Sequence, residues 1–302
     1  MTGIRAAAAG PRATVAVLVA LALAGVAALM TVLTPRGAPP DPPSLEQQVG
    51  ELTDRLSPRG PYRPPKPAER DAVVGAVATL LASGSDGTAQ GALERAGFSV
   101  GVSRNVTGAE FLVARSDPAS ERSWGLIALP IGRAPRLLVE VPHPNADYDT
   151  EDVGLAVLAA APDAVYLQAG AHRRAADERA DVAHADDSMF HALAVDLSTR
   201  LRLPQLQLHG FGERDDLDAE VVLGGGPDAP APPVYALADQ LENAGVEVCR
   251  AWAGRCSELE GRTNVQGRAA ARAGLPFAHV EMSASTRSRP EAVAPVLATL
   301  GR

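Results

Sequence analysis

The 302-residue chain has two cysteines, 4% aromatic residues and no cluster of Lys and Arg. Its net charge of −8 and scattered basic residues exclude a general nucleic-acid binder, because neutralising phosphates needs clustered cations. No Gly-x-Ser-x-Gly elbow occurs, which weakens a serine-hydrolase reading. Gly224-Gly225-Gly226-Pro227 lacks the Lys and following Ser or Thr of a phosphate-binding loop and reads as a flexible connection. No internal repeat is present. The chain does have 46% apolar residues, enough for a large core, so a disordered or fibrous protein is excluded too.

Residues 13–33 (ATVAVLVALALAGVAALMTVL) carry no charge and are long enough to cross a hydrocarbon core about 30 Å thick as a helix. Arg5 and Arg12 precede this run, so the positive-inside tendency leaves residues 1–12 in the cytoplasm and exports the rest of the chain beyond Arg36. A cleaved signal peptide is the rival reading, and it exports the same domain. In an exported segment Cys249 and Cys256, separated by six residues, suit a local disulfide better than a redox motif or a two-thiolate metal site. Residues 34–66 contain APPDPP and GPYRPPKP, which favour an extended spacer from the membrane. Within it, Leu45, Val49, Leu52 and Leu56 recur at helical spacing, which predicts a short amphipathic helix over 44–56 that docks or spaces.

From residue 67 to 302 short β-rich runs alternate with longer helical ones. Strands are expected at 98–103, 110–115, 124–130, 136–142, 164–170, 204–210, 246–252 and 277–283. Helices are expected near 68–83, 151–161, 188–201, 232–244, 265–273 and 290–300. Short connections between the first three strands suit antiparallel pairing, and helical crossovers between the later ones suit parallel pairing. The expected fold is an α/β domain with a mixed, mostly parallel sheet and flanking helices, preceded by one transmembrane helix.

In such sheets ligands bind beyond the carboxyl ends of strands, so polar residues placed there take priority. RLLVEV runs into Pro142-His143-Pro144-Asn145-Ala146-Asp147, AVYLQAG into Ala171-His172-Arg173-Arg174, PQLQL into His209-Gly210, and FAHV into Glu281. Two histidines and a carboxylate from separate strand ends suit zinc with one position left open. His143, Asp147 and His209 are the candidate ligands, with Asp149 or Glu151 as replacements for Asp147. Glu281 is the candidate general base and acid. Arg173, then Arg174, are candidates for holding a substrate carboxylate, since a guanidinium fork matches that group bidentately. Arg268 and Arg287 are further candidates for that role. His191 reads as a helix-face residue behind a Ser188 or Asp187 cap. His184, with Asp181, Asp186 and Asp187 around it, suggests a loop that covers the site or orders its ligands.

The order His-x3-Asp, an Arg-bearing strand end, Leu-His-Gly and a late Glu over residues 136–283 resembles the zinc carboxypeptidase-like fold group. That group includes N-formylglutamate amidohydrolases and poly-γ-glutamate hydrolases. The resemblance implies Zn2+ on His143, Asp147 and His209, with Glu281 as base. The chain departs from the common carboxypeptidase pattern, with three residues rather than two before the first acid and Asp in place of Glu. Peptidoglycan amidases resemble the same core with a longer gap, and there Glu151 is the nearest equivalent. The expectation is an exported, single-pass hydrolase of an amide or peptide bond in a carboxylate-bearing substrate of cell-wall or γ-glutamyl type. The alternative is a non-catalytic domain of the same fold that binds a cell-wall ligand.

Overall fold

In the computed structural model residues 42–302 are described, and the expected membrane segment at 13–33 lies outside them. Among the described residues no helix is long and apolar enough to cross a membrane. The chain opens with α1 (Leu45–Asp54), α2 (Pro67–Ser83) and α3 (Gly87–Arg95), then β1 (Phe98–Arg104), β2 (Glu110–Ser116) and β3 (Leu126–Pro130). Next come β4 (Leu137–Val141), α4 (Thr150–Ala160), β5 (Ala164–Gln168), α5 (Met189–Leu201), β6 (Gln205–Gly210) and β7 (Val221–Gly224). The last elements are α6 (Pro232–Asn243), β8 (Val248–Arg250), α7 (Val265–Ala273), β9 (Phe277–Met282), α8 (Ala284–Arg287) and α9 (Pro290–Leu297).

The nine strands of the described residues form one sheet in the order β1-β2-β3-β5-β4-β6-β9-β7-β8. The first three strands pair antiparallel, as their short connections require, and β3 also meets β5 antiparallel. The centre, β5-β4-β6-β9, is parallel and joined by helical crossovers. Strand β7, which no sequence pattern announces, returns antiparallel onto β9 and pairs parallel with β8. The sheet is therefore mixed, but parallel and antiparallel pairings are equal in number rather than mostly parallel. Only Val248–Arg250 of the expected 246–252 strand pairs.

Helices cover both faces. One apolar cluster gathers α1, α4, α6 and α9 against Val139, Tyr166, Leu206, Leu208 and Val280. The other gathers α2, α3 and α5 against Leu112, Ile127, Leu138 and Leu167. Of the expected spacer at 34–66, residues 34–41 lie outside the described residues, and helix α1 corrects the reading for the part that follows. Its Leu45, Val49, Leu52 and the following Leu56 are buried in the first cluster, each worth about 1.5–3 kcal/mol of apolar burial. The packed unit accordingly begins at Pro42, not at residue 67. The prolines mark its turns, while Ser44 and Gln47 close a capping box that starts the helix.

Strands β4, β6 and β9 carry the feature that positions the site. Period-2 alternation sends Leu206 and Leu208, and likewise Ala278 and Val280, into the first cluster. Gln207, His209, His279 and Glu281 therefore share the opposite face, where Gln207 lies beside His279 and His209 beside Glu281. Glu140 of β4 joins them as the neighbour of Gln207.

Candidate metal centre

His143 follows β4 through Pro142, at the carboxyl end of the central parallel strands. The backbone N–H groups of Ala146 and Asp147 both donate to the carbonyl of His143, at 3.1 and 3.0 Å. This single turn brings Asp147 back beneath His143, so a spacing of four residues suffices. Asn145 holds a left-handed conformation (φ 58°), and its Nδ2 donates to the Leu56 carbonyl at 2.7 Å, which ties the turn to the end of α1. Arg287 is buried and donates to the carbonyls of Tyr148, Phe211 and Met282, pinning the turn to the ends of β6 and β9. Its role is to brace these loops, rather than to meet substrate as the sequence suggested.

Asp147 Oδ2 lies 3.1 Å from His143 Nδ1 and 3.2 Å from His209 Nδ1. One donor atom from each of the three residues falls within 4.8 Å of the others, and all three residues are buried. Neither Asp149 nor Glu151 joins this group, so Asp147 is the acid that reaches both rings. Asp149 instead stands before α4 in a left-handed conformation, and Glu151 is turned into a desolvated position that raises its pKa to about 7.

The outer nitrogens of both rings are also held. Asp181 Oδ1 lies 2.9 Å from His143 Nε2, and Gln207 Oε1 lies 2.8 Å from His209 Nε2. The amide of Gln207 is oriented by its other contacts. Its Nε2 donates to Glu140 Oε2 at 2.7 Å, and its Oε1 accepts from Asn264 Nδ2. His209 Nε2 must then be the donor, and Nδ1 presents a lone pair. Burial and the neighbouring His279 lower the His209 pKa to about 4, so the ring is neutral at pH 7. A bare nitrogen thus faces a carboxylate oxygen at 3.2 Å. Burial pushes the Asp147 carboxyl up, but the bond with His143 outweighs it and holds the group ionised. Lone pair against carboxylate is an arrangement that a cation relieves, and two imidazole nitrogens with one carboxylate oxygen is a donor set that suits zinc.

Around this centre lies a cleft of about 280 Å³, lined among others by Arg173, His184, Arg262, His279 and Glu281. Glu281 Oε1 stands 3.5 Å from His279 Nε2. Burial pushes the Glu281 carboxyl up, but His279 and His209 together hold it below the usual carboxylate range, so it enters the cleft as a base. Arg173 faces the centre, 2.7 Å from Asp181 and 3.9 Å from Asp147. Arg174 is exposed and outside the cleft lining, and Arg268 is likewise exposed. Asp181 also meets His184 Nδ1 at 3.2 Å, so that loop orders a ligand histidine as its acidic surroundings suggested; Asp186 and Asp187 make no contact with the centre. His191 sits on α5, 3.5 Å from Gln266, and Ser188 caps that helix.

Sequence reasoning missed Gln207, His279 and the segment 258–264 that walls the cleft. The first two carried a signal. Polar residues alternating with apolar ones on a central strand expected to be buried on both faces stand on one face, and something there must satisfy them. The wall follows the Cys249–Cys256 disulfide, which is formed as expected with Cα atoms 6.0 Å apart.

No family model and no curated protein matches the chain. Solved structures do. The chain is similar to a gene product of Agrobacterium tumefaciens at 14% identity and a TM-score of 0.41, covering 55% of this chain and 86% of that one. It is similar to a bacteriophage poly-γ-glutamate hydrolase at 14% identity and a TM-score of 0.40, over 69% and 91% of the two chains. A succinylglutamate desuccinylase of Vibrio parahaemolyticus matches at 12% identity and a TM-score of 0.38, over 68% and 78%. Likeness this distant transfers no chemistry, which rests on the geometry above.

Proposed function

We propose that the protein is a zinc-dependent hydrolase of an amide or peptide bond in a carboxylate-bearing substrate. The observation that carries this reading is the convergence of His143 Nδ1, His209 Nδ1 and Asp147 Oδ2, with Glu281 beside His209 on the adjacent strand. His143, Asp147 and His209 would hold the metal. Zinc bound there supplies Lewis acidity, which polarises a carbonyl and lowers the pKa of water. Glu281 takes a proton from the attacking water and delivers it to the departing amine, since cleavage needs an acid after a base. Arg173 and Asp181 fix His143, and Gln207 fixes His209, so that both rings turn Nδ1 inward.

In this reading the hydrolase is exported and tethered through residues 13–33, and its substrate is a cell-wall peptide or a γ-glutamyl polymer. The charge-free run at 13–33 and the formed disulfide support export, because disulfides persist in oxidising compartments. The reading is tested by incubating the zinc-loaded protein with γ-glutamyl oligomers and with peptidoglycan stem peptides, and following amine release. Turnover that a chelator abolishes, zinc restores and Glu281→Gln lacks supports it. Amine release that persists in the chelated protein contradicts it.

A further inference from the structure

The sheet ends in two edges, and they are protected unequally. Strand β8 is three residues long, with Cys249 in the disulfide and Arg250 paired to Asp239 and Glu242, which blunts that edge against further pairing. Strand β1 is seven residues long, and from Phe98 to Ser103 it has neither a charge nor a proline. It lacks the devices that keep an edge single.

The ladder to β2 fixes which groups of β1 are free. The Asn105 N–H donates to the Ala109 carbonyl at 3.0 Å, and antiparallel alternation then turns the backbone groups of Ser99, Gly101 and Ser103 toward β2 and those of Phe98, Val100, Val102 and Arg104 outward. Among the described residues no backbone group outside β2 bonds to these four. Phe98 is buried in the second apolar cluster and Val100 packs against it, whereas Val102 on the same face is 47% exposed. A Cβ at Gly101 would meet nothing within 4 Å.

Ser99-Val100-Gly101-Val102-Ser103 reads the same in both directions. An antiparallel pair of two such strands centred on Gly101 sets Gly101 opposite Gly101, Val100 opposite Val102 and Phe98 opposite Arg104. The outward groups of Val100 and Val102 then meet each other, whereas a shift by one residue would set them against residues whose groups already serve β2. Leu112 and Ala114 of β2 lie beside Val102 and Val100, so the same register runs an unbroken apolar row from Leu112 through Val102 to Val100 and Ala114 of the second copy. The charges agree as well. Arg104 is paired with Glu110 of its own chain at 2.5 Å and faces the phenyl ring of the second copy rather than a like charge.

We infer that β1 is a self-association edge, through which two copies of the chain pair antiparallel about a twofold axis at Gly101 and join their sheets into one. The contact is isologous, so it closes at two copies instead of growing into a fibre. Seven residues at about 3.3 Å each make it about 23 Å long, which places it in the small, weak class of interfaces.

The test uses the full-length protein in detergent micelles. Sedimentation equilibrium of the wild type should show a mass that rises from one chain to two with concentration, and Val102→Lys should weaken the dimer roughly 10-fold or more. Gly101→Cys reads the register. Residues facing each other in a non-hydrogen-bonded pair have Cα atoms about 4.5 Å apart, within disulfide reach, so mild oxidation should link this variant into dimers. Ser99→Cys, equally exposed on the same face, should stay unlinked, because its two copies would stand about 13 Å apart. A wild type that remains a monomer at every concentration, whose edge is then free or covered by its own chain, overturns the inference. So does a dimer as strong in Val102→Lys as in the wild type, which would place the association elsewhere, or linking of Gly101→Cys no faster than of Ser99→Cys.

Discussion

His209 Nε2 donates to Gln207 Oε1 at 2.8 Å, and this one bond decides which nitrogen of His209 faces the metal centre. Gln207 is a neighbour of Glu140 on one side and of Asn264 on the other, so its amide cannot turn without losing both contacts. Replacing it with leucine leaves the volume and removes the acceptor. Zinc affinity of Gln207→Leu, measured by competition with a chromophoric chelator, should fall about 10- to 100-fold. An unchanged affinity would mean that the Asp147 side alone orients the ring.

Glu140 yields a prediction about pH. It is fully buried, and burial raises its pKa from the ordinary 4.5 to about 8, although the bond from Gln207 opposes the rise. The folded state then keeps a proton that the unfolded state loses above the ordinary carboxylate range. Stability should therefore fall as pH rises from about 4.5 to about 8, by up to roughly 1.4 kcal/mol per pH unit from this group. Glu140→Gln keeps an acceptor for Gln207 and removes the titration. Denaturant unfolding should show a flatter profile in the variant, with the largest gain near pH 8.

The alternation that builds this network is visible in QLQLH and FAHVE, yet from the sequence only His209 and Glu281 stand out. A histidine or acid at a strand end signals chemistry on its own. A buried glutamine signals it only once its strand is known to be central and its neighbour to be Glu140. The strands and the turn from His143 to Asp147 are legible because periodicity and strand-end position are local properties. Helix α1 is legible from its apolar spacing, but the prolines around it resemble a linker, and only its packing against α4 and the sheet shows it as core. The segment 258–264 that walls the cleft has no periodicity at all, and its place is set by contacts with His279 and His184, distant from it in sequence.

Cys249 and Cys256 close a short loop just before that wall segment. Replacing both with serine should cost about 2 kcal/mol of stability, the chain-entropy value for a loop of this size. Because Cys256 is buried against Phe211, Val222 and Leu259, the loss should also be felt at the cleft. Hydrogen exchange over residues 256–264 should rise more in the double variant than exchange in β4 and β6. Equal protection in both proteins would show that the cleft wall holds without the bridge.

Glu281 separates catalysis from metal binding. It is not among the three converging ligands, so Glu281→Gln should retain its zinc while amine release falls by about 10²- to 10⁴-fold. Loss of the metal along with activity would move Glu281 into the ligand set.

His143, Asp147 and His209 are expected to bind one zinc ion. Elemental analysis of the purified full-length protein after exposure to zinc and exhaustive dialysis tests it most directly. One zinc per chain in the wild type, and only background in a folded His143→Ala variant, is the result expected here. A wild type that retains no more zinc than His143→Ala would contradict it.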